Sequence, residues 1–295
     1  MELPPIAAAA ERAIRVSHAG GGRPFPRPSD RRVICVANQK GGVGKTTTTV
    51  NIAAALALNG SRVLLLDCDP QGNASTALSV DHQAGRPSTY DVIVEGATLA
   101  EVAVEVASIE GLRCVPATID LAGAEIELVS MDARERRLAK AIDAYPDQVD
   151  YILIDCPPSL GLLTVNALVA AREVLIPIQC EFYALEGLSQ LIANVDRARA
   201  RYNPALQVSA ILLTMYDGRT RLADQVAADV RRHFGELVLD TLVPRSVRIS
   251  EAPGYGQSVM TYDPGSRGAM SYYEAAREIA TRGFAAAAEV DGGGR

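Results

Sequence analysis

No stretch of the 295-residue chain approaches the roughly eighteen consecutive apolar residues that span a bilayer, which argues against a membrane-spanning helix. The N-terminus also lacks the continuous apolar segment of a secretory signal, so a cytoplasmic location is expected. No C-x-x-C pair or cysteine–histidine cluster is present, and nothing in the sequence suggests zinc. The five cysteines, Cys35, Cys68, Cys114, Cys156 and Cys180, are odd in number, far apart and set in apolar runs. They read as small core residues of a reducing compartment. Positive charge is in deficit, with 29 Lys plus Arg against 35 Asp plus Glu, a net charge of -6 and a pI near 5.2. That argues against a coat-like nucleic-acid binder and confines any DNA site to a local patch. Hydrophobic residues at 48% and charged residues at 22% also exclude wholesale disorder and a collagen-like chain.

What is present divides the chain in three. Residues 1–32 are expected to form a flexible basic extension, because Pro4, Pro5, Gly20 to Gly22, Pro24, Pro26 and Pro28 interrupt any long element, although Ile6 to Val16 suits a short helix. Six arginines stand there against three acids, a local balance of +3 that leaves -9 for the remainder. Residues 33–290 are expected to form one α/β domain, and 291–295 a frayed tail. In the domain, short apolar runs alternate with longer amphipathic stretches, the signature of βα units around a mostly parallel twisted sheet with helices on both faces. Strands are expected at Val33–Ala37, Arg62–Leu66, Leu112–Pro116, Tyr151–Ile154, Glu173–Ile178 and Val208–Leu213. Helices are expected at Lys45–Leu58, Ile126–Tyr145, Leu163–Ala170, Ala184–Ala200, Leu222–Phe234 and Ser271–Ala288.

The segment VICVANQKGGVGKTT, Val33 to Thr47, places a glycine-rich turn between a strand and a helix. Gly41, Gly42 and Gly44 let the backbone curl so that successive N–H groups, those of Val43 to Thr47 included, face a polyphosphate, and the helix opening at Lys45 aims its positive end at the same charge. Lys45 is expected to reach the β- and γ-phosphates of ATP, and the Thr46 hydroxyl to ligate Mg²⁺. The general G-x-x-x-x-G-K-[ST] pattern would place glycine at position 39, where this chain has Gln39. Two further strands end in aspartate, where ligands collect in open parallel sheets. In LLLDCDPQGNAS, alternation puts Asp67 and Asp69 on one side of the chain. In DYILIDCPPSLG, Asp155 ends a buried apolar strand, where an unpaired charge costs several kcal/mol and a cation partner resolves the cost. Asp147 and Asp150, ahead of that strand, are expected in solvent.

K-G-G-V-G-K-T-T resembles the deviant Walker A box of the ParA/MinD superfamily of P-loop NTPases, whose members carry an additional lysine early in the loop, here Lys40. The resemblance implies a single P-loop domain and an ATP-sandwiched homodimer in which Lys40 touches the partner subunit's nucleotide. It also implies Asp67 beside Mg²⁺, Asp69 positioning the attacking water and Asp155 holding Mg²⁺ through water. Further segments, ATIDLAGAEIEL, PIQCEFYALEGLSQL, ILLTMYDGRTRL, VPRSVRISEAPGYGQ and YDPGSRGAMSYYEAA, are similar to the chromosomal ParA branch that includes Soj. For that branch the resemblance implies non-specific binding of double-stranded DNA through Arg219 and Arg248, with Arg221 adding to the patch, and an adenine pocket lined by Pro244 and Arg245 with Thr214 and Met215. It implies slow hydrolysis stimulated by a ParB-type centromere-binding partner, and nucleoid association. A metal cluster is not expected, since no cysteine is placed to clamp one. Nor is a membrane-targeting tail, since the C-terminal segment is alanine-rich and its Tyr272, Ala276, Ile279 and Phe284 suit packing on the domain. Tyr183, Tyr255 and Tyr262 are expected in the core. A non-DNA cargo-positioning ATPase with the same ATP cycle is the alternative reading.

Overall fold

The computed structural model describes residues 5–16, 24–146 and 148–292, with side chains for those from 6 through 283. Its strands are β1 Arg32–Val36, β2 Val63–Asp67, β3 Val104–Glu105, β4 Leu112–Val115, β5 Tyr151–Asp155, β6 Glu173–Gln179, β7 Gln207–Tyr216 and β8 Val238–Pro244. They form one sheet in the order β3-β4-β2-β5-β1-β6-β7-β8, parallel throughout except for the short antiparallel edge β3. The helices are α1 Pro5–Val16, α2 Lys45–Leu58, α3 Asn73–Ala77, α4 Leu99–Val102, α5 Leu121–Glu127, α6 Arg137–Asp143, α7 Leu162–Ala170, α8 Ala184–Arg201, α9 Arg221–Phe234, α10 Val247–Glu251, α11 Val259–Tyr262 and α12 Arg267–Gly292.

Strand periodicity decides which face each side chain buries. Val33, Cys35, Leu64, Leu66, Ile152 and Ile154 join the core under α6 to α9. Ile34, Val36, Val63, Leu65, Tyr151 and Leu153 join the opposite core, under α2 and α12. Helix α2 is buried from Thr48 to Ala57, which is why it shows no polar face. Tyr272, Ala276 and Ile279 of α12 pack as expected, and the side chain of Phe284 lies outside the described residues. All five cysteines are free and buried. Burial pushes the Cys68 and Cys114 thiols well above their ordinary range, and that of Cys180 up to about 11, so these thiols are unreactive core groups.

The expected helix Ile126–Tyr145 is broken in two. After α5, Leu128–Ser130 tighten into a 3-10 turn, Met131 is extended and Ala133 takes φ +48°. The side chain of Asn166 on α7 supplies what continuity would have given: its Oδ1 accepts the Leu138 N–H at 3.2 Å and its Nδ2 donates to Arg134 O at 2.7 Å. A tertiary cap therefore restarts the chain as α6.

Residues 24–32 of the extension are fixed to the domain, contrary to a flexible arm, while 1–4 and 17–23 lie outside the described residues. Phe25 is buried with its ring 5.1 Å from that of Tyr273, and its N–H donates to Asn59 O at 3.2 Å. Arg12 on α1 donates to Gly265 O at 2.7 Å. Arg32 forms a bidentate pair with Glu173, at 2.7 and 2.6 Å, in a site where both side chains are only 12% and 11% exposed. Arg32→Ala leaves Glu173 buried and unpaired, so it is expected to cost about 3–5 kcal/mol in urea unfolding. A loss below about 1 kcal/mol, the scale of a surface pair, would show that water reaches the carboxylate. Helix α12 carries the chain to Gly292, and the last three residues of the expected frayed tail lie outside the described residues.

Candidate active site

The loop between β1 and α2 curls because Gly42 and Gly44 sit at φ +74° and +88°, a region open to glycine. No heavy atom lies within 4 Å of the position a Cβ would take on Gly41 or Gly42, so these two glycines face open space. The first N–H groups of α2 have no partner within the helix and open onto it. The loop is braced from below and from the side. Asn38 donates to Pro177 O at 2.8 Å and accepts the Lys40 N–H at 3.0 Å, while Thr214 donates to Val43 O at 2.8 Å. Lys45 is buried and donates to Lys40 O at 3.2 Å. Burial lowers its pKa, and the carboxylates of Asp155 and Asp69 oppose that shift.

Asp67 and Asp155 are register partners at the ends of neighbouring strands, and both are fully buried. Burial raises both carboxyl pKa values, and for Asp155 the charge of Asp67 adds to the rise. Their surroundings differ. Asp67 spends both oxygens: Oδ1 accepts the Asp69 N–H at 3.2 Å, and Oδ2 accepts from Ser75 N at 2.9 Å and Ser75 Oγ at 2.7 Å. Asp155 accepts the Thr49 hydroxyl on Oδ1 at 2.9 Å, and Thr46 also lowers its pKa without closing a hydrogen bond on Oδ2. Oδ2 is buried without a hydrogen-bond partner. An orphaned carboxylate oxygen beside a second carboxylate, a lysine and a threonine hydroxyl fits a small hard cation, which Mg²⁺ is when one or two carboxylates and substrate phosphates hold it. Asp155 has the better oxygen for that than Asp67. Among the described residues no group of three or more His, Cys, Asp or Glu is arranged as a metal cage.

Asp69 is buried at the start of the turn after β2, and its Oδ1 accepts the Gln71 N–H at 3.0 Å. Lys40 lies half-exposed at the mouth of the site and pairs with Glu181 at 3.0 Å. Pro244 ends β8 in register with Tyr216, and the Arg245 N–H donates to Tyr216 O at 3.0 Å, so both sit beside Thr214 and Met215 on the flank of the loop. Arg219 and Arg248 follow the C-terminal ends of the adjacent strands β7 and β8, at the same edge of the sheet. Neither guanidinium is free. Arg219 is bidentate to Asp217 at 2.8 and 2.7 Å and holds that carboxyl down to about 2, and Arg248 reaches Glu251 at 3.2 Å and Asp263 at 3.3 Å.

Several expectations fail on contact with neighbours. Asp150 is buried, because Arg62 grips it at 3.0 Å and through its own N–H at 2.7 Å; Asp147 lies outside the described residues. Tyr183 and Tyr255 are 67% and 66% exposed instead of core, and Tyr262 stacks on Tyr255 with centroids 5.1 Å apart. Glu181, Ser75, Thr49 and Asn38 were not anticipated. Of these, Ser75, Asn38 and Glu181 lie inside quoted segments, and Ser75 and Asn38 were open to notice beside the chemistry of their own motifs, whereas Glu181 meets Lys40, 141 residues away, only through the fold.

A family model described as an AAA domain matches residues 31–208. The chain is 50% identical over 252 residues to the sporulation initiation inhibitor protein Soj of Bacillus subtilis, covering 85% of this chain and 99% of that protein. It is 49% identical over 253 residues to the chromosome partitioning protein ParA of Caulobacter vibrioides, covering 85% and 94%. Among solved structures, one described as cobyrinic acid a,c-diamide synthase from Mycobacterium smegmatis, with bound ADP and magnesium, superposes with a TM-score of 0.72 at 39% identity and covers 84% of this chain and 93% of that one.

Proposed function

The chain belongs to the ParA/Soj family of P-loop ATPases, and we propose that it binds Mg²⁺–ATP on the loop from Lys40 to Thr47, dimerises around two nucleotides and in that state holds DNA irrespective of sequence. The observation that carries the reading is the meeting, at the ends of β1, β2 and β5, of an open glycine turn leading into α2 with a buried lysine and a carboxylate oxygen that has no partner. In this reading the backbone of Gly41, Gly42, Val43 and Gly44 and the first turn of α2 take the phosphates, with Lys45 on the β- and γ-phosphates. Pro244 and Arg245 line the adenine pocket. Thr46, Asp67 and Asp155 would hold Mg²⁺, which when bound neutralises charge on the phosphate oxygens. Asp69 orients the attacking water. Phosphoryl transfer to water needs little beyond such positioning and charge.

Lys40 leaves Glu181 to reach the partner subunit's nucleotide. Exposed apolar side chains at the same end of the sheet, Ile119 and Leu160 on one side of the loop and Phe182 on the other, give that face a reason to be covered. The ion pairs of Arg219 and Arg248 are exposed and individually weak, so DNA phosphates can displace their carboxylates. The cycle we infer is that of a nucleoid-associated cytoplasmic anchor, slow alone and stimulated by a ParB-type centromere-binding partner.

Co-sedimentation with DNA in ATP, ADP or no nucleotide tests it. DNA is expected in the pellet fraction with ATP alone; Lys40→Ala is expected to bind ATP without dimerising, and Arg219→Glu with Arg248→Glu to dimerise without DNA. Wild-type affinity is expected to fall by about 0.9 log units per log unit of salt for each phosphate neutralised. Dimers that ignore DNA would instead support the cargo-positioning reading.

A further inference from the structure

We infer that His82 is a positioning residue for hydrolysis, a clamp on the turn that carries Asp69; this rests on the role proposed for Asp69. The turn runs Asp69-Pro70-Gln71-Gly72, closed by the Gly72 N–H donating to Asp69 O at 2.9 Å, with the carboxylate tied in by the Gln71 N–H. Gly72 takes φ +62° and opens α3. Its outer side is walled: a Cβ on residue 72 would stand 2.7 Å from Cδ2 of His82 and 2.9 Å from Ala117 O. Glycine is therefore required twice over, by its backbone angle and by the imidazole lying against its Cα.

The ring is itself held in place. Nδ1 is 2.9 Å from Val80 O, a carbonyl that can only accept, which assigns an N–H to that nitrogen, and Nε2 lies 3.2 Å from the Thr76 hydroxyl. That hydroxyl donates its one proton to Gly72 O at 3.0 Å, so one side chain on α3 touches both the clamp and the turn. The loop that delivers His82 is anchored from a third direction. Ser79, at φ +54°, donates to Gly256 O at 3.0 Å. A non-glycine residue in that region is strained, and the strain persists where neighbours hold it. His82 thus fixes the turn's outer side and touches none of the groups assigned to ATP. Its effect passes through Gly72 to the orientation of Asp69.

Steady-state hydrolysis of ATP by the full chain tests this. His82→Ala is expected to lower kcat about tenfold with KM for ATP within twofold of wild type, short of the ~100-fold that a full ångström of misplacement can cost. His82→Gln, which keeps an acceptor and a donor near Thr76, is expected to recover most of that loss. Thr76→Val breaks the same link from the other end. Combined with His82→Ala it is expected to add less than its own single effect, as for two parts of one contact. Wild-type kcat in His82→Ala, or in Thr76→Val if the alanine variant does not fold, overturns the inference, as does a glutamine variant no better than alanine. Asp69→Ala, run in parallel, separates the two readings. If it hydrolyses normally the role of Asp69 fails; if it is inactive while His82→Ala is unimpaired, only the clamp fails.

Discussion

Asp69→Ala is expected to bind ATP as wild type does and to hydrolyse it about 10²- to 10⁴-fold more slowly, the range a positioned acid or base contributes. The asymmetry follows from where the groups sit. The glycine loop, Lys45 and Asp155 belong to β1, α2 and β5, and none of them hydrogen-bonds the Asp69 side chain, whose oxygen is used only to cap its own turn through Gln71. Its removal leaves binding groups in place and takes the orienting carboxylate from the water. Because dimerisation is proposed to need ATP and not its cleavage, the variant is also expected to persist on DNA far longer than wild type. Single-turnover hydrolysis alongside equilibrium binding of ATP reads the two effects separately. Normal turnover would remove Asp69 from the mechanism, whereas a parallel loss of ATP affinity would recast it as a structural prop of the loop.

Much of this site was legible in the sequence because its signals are local. A glycine turn between a strand and a helix, and aspartates that end unbroken apolar runs, each state their chemistry within a dozen residues. The unbroken apolar runs VLLLD and YILID suit strands buried on both faces, as they are, for the same reason. What could not be read depends on contacts between segments far apart in the chain. Asp150 looks solvated until Arg62, 88 residues away, folds onto it. The helix expected from Ile126 to Tyr145 fails because Asn166 of another helix caps its second half. The N-terminal segment, proline-rich and basic, is composed like a tail, yet residues 24–32 gain Asn59, Glu173 and Tyr273 as neighbours. His82 belongs to the same class: a lone histidine in a polar loop carries no motif, and only the turn it lies against gives it a task.

Asp155→Asn is expected to raise the melting temperature of the nucleotide-free protein while lowering Mg²⁺-dependent hydrolysis by at least about 100-fold, the equivalent of losing a few kcal/mol of charge stabilisation. The stability half follows from the burial of two facing carboxylates. Both have folded pKa values raised above the ~3.9 of an unfolded aspartate, by burial and, for Asp155, by the neighbouring charge. A group shifted in that direction favours the fold at a pH below its unfolded pKa, and its contribution is lost as pH rises through the folded value. As the pH rises through about 8, where Asp155 gives up its proton, the wild-type protein comes to carry an unfavourable charge pair, only partly relieved by Lys45. Asparagine keeps an oxygen for the Thr49 hydroxyl and removes one charge. The gain in melting temperature is expected to be near zero below about pH 4, the unfolded pKa, and to grow toward pH 8, by about 2–4 °C for each kcal/mol relieved in a domain of this size. Saturating Mg²⁺–ATP is expected to stabilise wild type more than the variant, since a ligand that binds only the folded state stabilises in proportion to its affinity. Scanning calorimetry across that pH range decides the matter: a variant less stable than wild type at pH 8 would mean that Asp155 is satisfied without a cation, and its orphaned oxygen would no longer argue for one.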